Sequence, residues 1–275
     1  MIIQARLPFA VAAICALLLA PTAMAQIYVN GTLSSGPTSD SGVAAPTGAN
    51  WSELQHDTGN TAEANTSAGY SVASGQFRLA DDFTVPATEN WTLTAVNIFT
   101  YKTGSPATPS PFTASTLQIW NGRPGDAGAA VLCGDTTTNV LASSTDASLF
   151  RLFNSVAPPP GSATGTTRRI WRNQLTVPAA CAGAGFFTAG STYWISWDST
   201  DSAAGAHFAP SKVVVGTRNP GGNARQLTVS STTWTDVIDV GNPATAPDYP
   251  QDFPFTLEGT VSSNNDLIFR NNFDM

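Results

Sequence analysis

Three tryptophans carry the most easily defined chemistry in this sequence. Trp120 and Trp194 lie in short alternating segments and point away from their aliphatic neighbours, whereas Trp51 lies in a polar stretch. An aromatic ring on a protein surface can stack on a sugar ring when amide and carboxylate side chains nearby supply hydrogen bonds. We therefore take these three residues as candidate glycan-binding side chains. The alternative for each is burial in a core, where tryptophan is mostly found.

Ca²⁺ is the metal ion that the acidic residues of this sequence could bind. Asp81 and Asp82 are adjacent, and Asp198 and Asp201 lie close together in sequence. Carboxylate oxygens suit Ca²⁺, but the sequence contains no D-x-D-x-D-G loop. Surface carboxylates in turns would explain the same pattern. We therefore expect no cofactor, with a structural Ca²⁺ held by these four residues as the alternative.

A serine at residues 69–73 comes nearest to a catalytic motif. The segment reads Gly-Tyr-Ser-Val-Ala, so Ala73 stands where a G-x-S-x-G elbow needs glycine, and a strand is expected to follow where the elbow needs a helix. His56 and His207 are the available bases, and they are too far apart in sequence to form a zinc motif. A serine in a serine-rich loop is the better interpretation of this segment.

Glycosidase chemistry would need two carboxylates about 5 to 9.5 Å apart. Four acidic residues lie on or beside predicted strands: Asp82, Glu89, Asp198 and Glu258. Nothing in the sequence pairs any two of them, and the alternation around Glu258 directs it to solvent. Enzyme activity is therefore uncertain, no catalytic residue is predicted, and a non-catalytic protein is favoured.

The first 25 residues have the pattern of a secretory signal peptide. Arg6 supplies the positive charge, residues 9–20 are apolar, and residues 23–25 read Ala-Met-Ala, a small-x-small cleavage pattern. The apolar run is short for about 30 Å of hydrocarbon, so removal is favoured over a membrane anchor. We expect a mature chain that begins at Gln26, has no membrane span and is secreted, either extracellular or in the periplasm or on the cell surface.

The net charge of that mature chain limits the classes of partner that we expect, and its cysteine content predicts a disulfide. Removing residues 1–25 takes away Arg6 from 12 basic residues, which leaves 11 against 19 acidic residues, a net charge of −8. Nucleic acids and anionic lipids need a basic patch, so we expect neither as a partner, and we consider an extracellular polysaccharide or protein instead. An exported chain whose two remaining cysteines are Cys133 and Cys181 is expected to join them in a disulfide, which would stabilise the fold by about 4 kcal/mol.

The body of the chain is predicted to consist of strands. Thr, Val, Gly, Pro and Ser are abundant, and short alternating segments are separated by Gly/Pro turns. The predicted strands are 77–85, 91–101 with a bulge, 116–120, 149–153, 169–177, 193–198, 212–215, 226–229, 234–238 and 253–261. This pattern predicts an all-β fold, a two-sheet antiparallel sandwich of jelly-roll type. We assign it to one domain, residues 26–261, with a long surface excursion at 31–70, followed by a linker and tail at 262–275.

The end of the chain resembles a short tail, LIF-x-x-G-F-acid, that occurs in many otherwise unrelated secreted proteins of Gram-negative bacteria. Residues 267–274 read Leu-Ile-Phe-Arg-Asn-Asn-Phe-Asp, with Asn272 in place of the glycine and Met275 after the acid. The resemblance implies a sorting or secretion tag. A frayed terminus or a late edge strand is the alternative.

A series of blocks within residues 77–261 resembles a family of uncharacterised secreted bacterial β-sandwich proteins. The blocks are ADDFTVP (80–86), LQIWNGRPG (117–125), GDTTTN (134–139), YWISW (193–197), GNARQ (222–226) and FPFTLEG (253–259). The resemblance implies a β-sandwich outside the cell and implies no activity. Residues 199–207 depart from the Gly-rich pattern of the family, which puts a ligand loop at that point in doubt.

Three functional hypotheses follow from these observations. The first is a secreted, non-catalytic binding or surface module, with glycan as the ligand class. The second is a structural or adhesive protein that self-associates through Thr-rich edge strands. The third, ranked last, is a hydrolase.

Overall fold

Nearly all of the regular structure in the described part of the chain is β-strand. The computed structural model describes residues 25–203 and 205–264, so the predicted signal peptide (except Ala25) and the predicted tail at 266–275 lie outside the described residues. The strands, numbered in chain order, are β1 (Ala25–Asn30), β2 (Asn50–Glu53), β3 (Tyr70–Ser71), β4 (Phe77–Thr84), β5 (Glu89–Tyr101), β6 (Phe112–Trp120), β7 (Val131–Gly134), β8 (Leu141–Leu152), β9 (Arg169–Thr176), β10 (Thr192–Asp201), β11 (Phe208–Ala209), β12 (Arg225–Thr228), β13 (Thr233–Asp236), β14 (Ile238–Asp239), β15 (Tyr249–Pro250) and β16 (Phe255–Ser263).

Two large sheets contain most of these strands. The eight-stranded sheet has the order β1-β16-β5-β9-β8-β2, with β3 and β11 joined beside β5, and the six-stranded sheet has the order β13-β12-β4-β10-β6-β7. The paired strands of the described residues are antiparallel except for β2 and β8, which run parallel. The predicted all-β fold with antiparallel sheets is confirmed.

Aromatic side chains join the two sheets in one core. Phe83 on β4 stacks on Trp91 of β5 with ring centroids 6.1 Å apart, and Trp197 on β10 meets Phe253, just before β16, edge to face at 5.7 Å. Each of these pairs has one partner from each sheet region, and all four side chains are at most 2% exposed. The sheets therefore pack face to face, as alternating inward side chains on both sheets require.

The predicted bulge in β5 is also present. The register with β16 shifts between Leu93 and Ala95, so that Thr94 has no partner and the inward side of the strand changes there. At the same point Gly259 lies so close to β5 that an added Cβ would be 2.1 Å from the Thr92 carbonyl oxygen. Only glycine fits this approach of the two backbones.

The segment 31–70 contributes to packing as well as to the surface. Its residues 50–53 form β2, and Leu33, Trp51 and Leu54 are at most 7% exposed.

The predicted strand at 212–215 is wrong. That segment has no ladder partner and is held by single backbone bonds from Lys212 to Asp252 and from Val213 to Thr32.

The predicted disulfide is confirmed. Cys133 on β7 is bonded to Cys181 in a single-turn 3-10 helix, Ala179–Cys181, with Cα atoms 6.1 Å apart. The bond ties the edge of the six-stranded sheet to the segment that follows β9. Among the described residues, no helix is long and apolar enough to cross a membrane.

Candidate functional site

The outer face of the six-stranded sheet brings two of the three predicted tryptophans together. Trp120 on β6 and Trp194 on β10 are direct register partners, and both point away from the core between the sheets. A further tryptophan, Trp234, approaches from β13 at the far edge of the sheet. We use the name tryptophan face for Trp120, Trp194, Trp234, Arg123 and Arg225.

Trp120 and Trp234 form the accessible part of this face. Their ring centroids are 6.2 Å apart and their planes meet at 86°, an edge-to-face arrangement. The Trp120 indole N–H donates to Ser196 Oγ at 3.0 Å, which fixes the ring. Of the seven tryptophans in the sequence, these two are half-buried and the other five are at most 4% exposed. A ligand at this face would therefore meet these two rings.

Small, buried residues occupy the strands between β13 and β6. Ala80 on β4 and Ser196 on β10 are register partners on the strands between β13 and β6, and both are fully buried. The strands thus provide a rigid support for the two rings.

Trp194 is covered, in contrast to the expectation of an exposed ring. It is 4% exposed, and the Arg123 guanidinium lies over its ring at 5.8 Å from the centroid. This distance falls within the range of a cation–π interaction. Arg123 belongs to the loop that follows β6 and folds back over the outer face of the sheet.

Two reciprocal ion pairs hold that loop on the β12–β13 hairpin. Arg123 of the loop donates to Asp236 of β13 at 2.7 Å, and Arg225 of β12 donates to Asp126 of the loop at 2.7 Å. The arginines also bond the backbone carbonyls of Asn223, Pro124 and Trp234. Both aspartates are about half exposed, so charged and polar groups border the two rings.

A buried polar layer lies beside the tryptophan face on the same side of the sheet. Arg78 is 2% exposed and donates to Asp198 at 2.9 Å, to the Thr116 hydroxyl at 2.6 Å and to Ser196 through Oγ and the backbone oxygen. Burial lowers the pKa of Arg78, and the nearby Asp198 opposes that shift. Asp198 is therefore the counter-ion of a buried cation.

Trp51 lies apart from the tryptophan face. It belongs to β2 of the eight-stranded sheet, is 2% exposed and packs against Phe150 with centroids 6.1 Å apart. Its indole N–H donates to the Val43 carbonyl at 2.9 Å. The ring is thus not exposed for stacking, because residues 43–45 cover it.

The four aspartates considered for Ca²⁺ are separated by the fold. Asp198 pairs with Arg78, and Asp201 pairs with Lys102 at 2.6 Å. Asp81 is fully buried on the core side of β4, whereas Asp82, its neighbour, faces outward opposite Trp194. Among residues 25–203 and 205–264, no three His, Cys, Asp or Glu side chains gather in a group that could hold a metal. Bound Ca²⁺ therefore stays a prediction without a cluster to support it.

Asp81 is an unusual buried carboxyl group. It accepts hydrogen bonds from Asn30 Nδ2 at 3.0 Å, Phe253 N at 2.7 Å and Asp82 N at 2.8 Å. Burial, with the negative Asp252 nearby, nevertheless holds its pKa well above the usual range, because three N–H donors do not offset the lost hydration. Burial raises the pKa of Asp82 as well, although it is less enclosed.

Ser71 and His207, which were considered for catalysis, do not pair with each other. His207 Nε2 lies 2.8 Å from the Ser199 carbonyl oxygen, and its Nδ1 faces Asp201 at 3.6 Å, so neither nitrogen contacts Ser71. Ser71 lies in β3, which pairs with β11 and does not lead into a helix. Glu258 accepts hydrogen bonds from two amides on its own sheet, Asn97 at 2.8 Å and Gln174 at 3.0 Å.

Trp234 is the site residue that the sequence reasoning missed. It lies in a segment predicted as a strand, residues 234–238, but the direction of its side chain was not assigned. The hairpin indicates the direction of this side chain, because Trp234 and Asp236 alternate with Thr235 and so share a face with Arg225, the register partner of Asp236.

Comparison with protein-family models, curated proteins and solved structures finds no match to this chain.

Proposed function

We propose that this protein is an exported, non-catalytic binding module whose tryptophan face binds an extracellular glycan. One observation carries the proposal: Trp120 and Trp234 are the two tryptophans with accessible ring surface, and they lie side by side on a supported strand face. Aromatic rings of this kind offer the apolar C–H face of a sugar a large contact area at little cost in conformational entropy.

The border of the rings supplies the complementary polar chemistry. Asp126 and Asp236 are about half exposed and Arg123 is 28% exposed, so each can bond a hydroxyl group without leaving its ion pair. Their mutual pairing also limits the net charge at the face, which suits a neutral ligand better than an ionic one. The reciprocal ion pairs keep the loop in place before a ligand arrives.

The first experiment measures retention of purified residues 26–275 on insoluble cellulose, chitin and peptidoglycan. We expect saturable binding to at least one polymer. Trp234→Ala should weaken that binding about tenfold or more, because removal of a dominant aromatic contact costs about 2 kcal/mol or more and tenfold corresponds to about 1.4 kcal/mol. Trp234→Phe should retain part of the affinity.

The matched control is Phe99→Ala. Phe99 is a half-buried aromatic residue on the eight-stranded sheet, away from the tryptophan face. Its replacement should leave retention unchanged once thermal melting shows that both variants fold. Absence of retention on all three polymers, or equal retention by Trp234→Ala and the wild type, would reject the proposed function.

Export is the second part of the proposal and is supported by the cleavage pattern at residues 23–25. Because β1 begins at Ala25, cleavage after this residue would leave β1 one residue shorter, beginning at Gln26 opposite Glu258. Expression of the whole chain in a Gram-negative host should give a protein outside the cytoplasm whose N-terminal sequence begins at residue 26. A cytoplasmic product that retains residues 1–25 would contradict export.

The C-terminal tag has its own test. Export that is unchanged by deletion of residues 266–275 would reject a sorting or secretion role for this tail.

Self-association is the second candidate function, and one observation favours it. Val131 and Leu132 on β7, the outermost strand of the six-stranded sheet, are 38% and 40% exposed. An edge strand with apolar side chains can pair with a second copy. Light scattering that shows assembly with rising concentration, lost in Leu132→Lys, would support this function over glycan binding.

A further inference from the structure

A cleft with no residue in common with the tryptophan face lies between three segments of the chain. It has a volume of about 370 Å³, which is near the lower end of the range for small-molecule sites. Its lining residues are Ala64, Asn65, Thr66, Phe153, Asn154, Ala157, Pro158, Pro160, Ser162 and Asn242.

Asn154, one of the lining residues, carries an unsatisfied hydrogen-bond donor. The residue is 1% exposed, and its Nδ2 has no hydrogen-bond partner within the described residues. Burying an amide N–H without an acceptor is unfavourable, because the group loses its hydrogen bonds to water. An acceptor oxygen from a molecule inside the cleft would remove this cost.

The neighbouring Asn65 fixes which way round the Asn154 amide lies. Asn65 Nδ2 donates to the Gln55 carbonyl oxygen at 2.8 Å and to Asn154 Oδ1 at 3.1 Å. Turning the Asn154 amide over would place two NH₂ groups against each other. The oxygen of Asn154 therefore stays on Asn65, and Nδ2 remains the free donor.

The rest of the lining defines the class of ligand. It contains no charged side chain, which disfavours an ion. Phe153, Pro158 and Pro160 supply apolar walls. The hydroxyl and amide groups of Thr66, Ser162 and Asn242 both donate and accept hydrogen bonds, as sugar hydroxyl groups do.

A glycine shapes one wall of the cleft. An added Cβ at Gly161 would lie 2.0 Å from the Ser155 carbonyl oxygen, so no other residue lets the chain pass this close. Ser162, the next residue, is held in the wall because its backbone N–H donates to the Asn154 carbonyl oxygen at 2.8 Å. The sequence Pro-Pro-Pro-Gly at 158–161 thus builds a fixed wall.

We propose that this cleft binds one neutral sugar unit through Asn154 Nδ2. The hydrogen bond joins the free N–H of Asn154 to a hydroxyl or ring oxygen of the sugar, while Phe153 and the prolines contact its C–H groups. This proposal does not depend on the tryptophan face, so either site can fail without the other.

The test titrates purified residues 26–275 with glucose, galactose, mannose and N-acetylglucosamine, using saturation-transfer NMR and calorimetry. We expect at least one of these sugars to bind the wild type. Asn154→Asp keeps the shape of the side chain but replaces the donor by an acceptor, and it should weaken binding about tenfold or more. Phe99→Ala, which lies outside both the tryptophan face and the cleft, serves as the control and should bind the sugar as the wild type does.

Each outcome bears on the proposal. Failure of all four sugars to bind the wild type, or equal binding by Asn154→Asp, would overturn it. If Asn154→Asp does not fold, Ser162→Ala and Asn242→Ala replace it, and at least one should weaken binding. A crystal soaked with the sugar should show a sugar oxygen within hydrogen-bond distance of Nδ2; an ordered water in that position instead would count against the site.

Discussion

Two buried arginines in the two sheets have different partners. Arg78, on the six-stranded sheet, is 2% exposed and pairs with Asp198 at 2.9 Å. Arg151, on β8 of the eight-stranded sheet, is 1% exposed and donates to three neutral acceptors: the Ala68 carbonyl and the hydroxyls of Ser52 and Ser211.

The difference shows two ways to keep a guanidinium group out of water. Burial lowers the pKa of both groups, to about 10 for Arg151. A guanidinium group nevertheless keeps its charge inside a protein. Arg78 gains Coulomb attraction, but its removal would leave Asp198 as an unpaired buried charge. Arg151 contacts no carboxylate among the described residues, and its removal would leave only neutral groups without a partner. The two sites should therefore respond differently to substitution.

The largest effect is expected for Arg78→Met. This change leaves Asp198 buried without a cation and should lower the free energy of unfolding by about 3–5 kcal/mol, measured by denaturant titration. The double variant Arg78→Met/Asp198→Leu should recover most of the loss, because no charge then remains buried. A loss of unfolding free energy below about 1 kcal/mol in the single variant would show that Asp198 does not depend on Arg78 as its buried counter-ion.

Arg151→Met should be milder. It removes three hydrogen bonds to neutral acceptors, and the serine hydroxyls can rotate to new partners, so we expect a loss of about 1–2 kcal/mol. The same denaturant titration compares the two arginines directly. A loss of unfolding free energy equal to or above that of Arg78→Met would contradict the expected difference between the two arginines.

Asp81 extends the comparison to a buried acid without a cation. Its folded pKa is raised above the unfolded value of about 3.9, so the folded state binds more protons in the interval between the two pKa values. Stability contributed by protonated Asp81 is then lost as pH rises from about 4 through the folded pKa. Asp81→Asn should show a smaller decline of unfolding free energy with rising pH than the wild type. An unchanged slope would contradict the raised pKa.

Asp135 is the control of opposite sign. Backbone N–H groups of Thr138 and Thr137 donate to its carboxylate and hold its pKa well below the usual range. Its contribution is present above the unfolded pKa and is lost as pH falls, so Asp135→Asn should flatten the acid side of the stability profile and leave the decline at higher pH unchanged.

The smallest effect is expected for Asp236→Asn. Arg123 and Asp236 are 28% and 51% exposed, so solvent and salt screen their ion pair. The stability loss should be about 1 kcal/mol or less and should shrink at high salt in thermal melts. A loss above about 2 kcal/mol would mean that the loop after β6 stabilises the fold far more than a surface ion pair can.

The local sequence pattern was sufficient to predict much of the fold. Alternation predicted that Trp194 and Trp120 face away from the core, and a shift of the apolar set predicted the bulge at Thr94. The disulfide was predicted from two cysteines in a chain that we expect to be exported. These features depend on neighbouring residues or on composition, which a sequence displays directly.

Features that depend on distant pairs were missed. The burial of Trp194 requires Arg123 to reach Asp236, which is 113 positions away, and no local pattern encodes that contact. The parallel pairing of β2 with β8 buries Trp51 in a segment that reads as a polar loop. Five of the blocks that carry the family resemblance have residues in or beside strands of the six-stranded sheet, a grouping that only the topology reveals.

The most direct test of the central claim is oxidative footprinting of the tryptophans by mass spectrometry, with and without the polysaccharide that retains the protein. In the free protein, Trp120 and Trp234 should oxidise fastest, because the other five tryptophans are at most 4% exposed. The glycan-binding account predicts that the bound polymer protects these two residues selectively. Equal oxidation of Trp120 and Trp234 in the free and bound protein would contradict it.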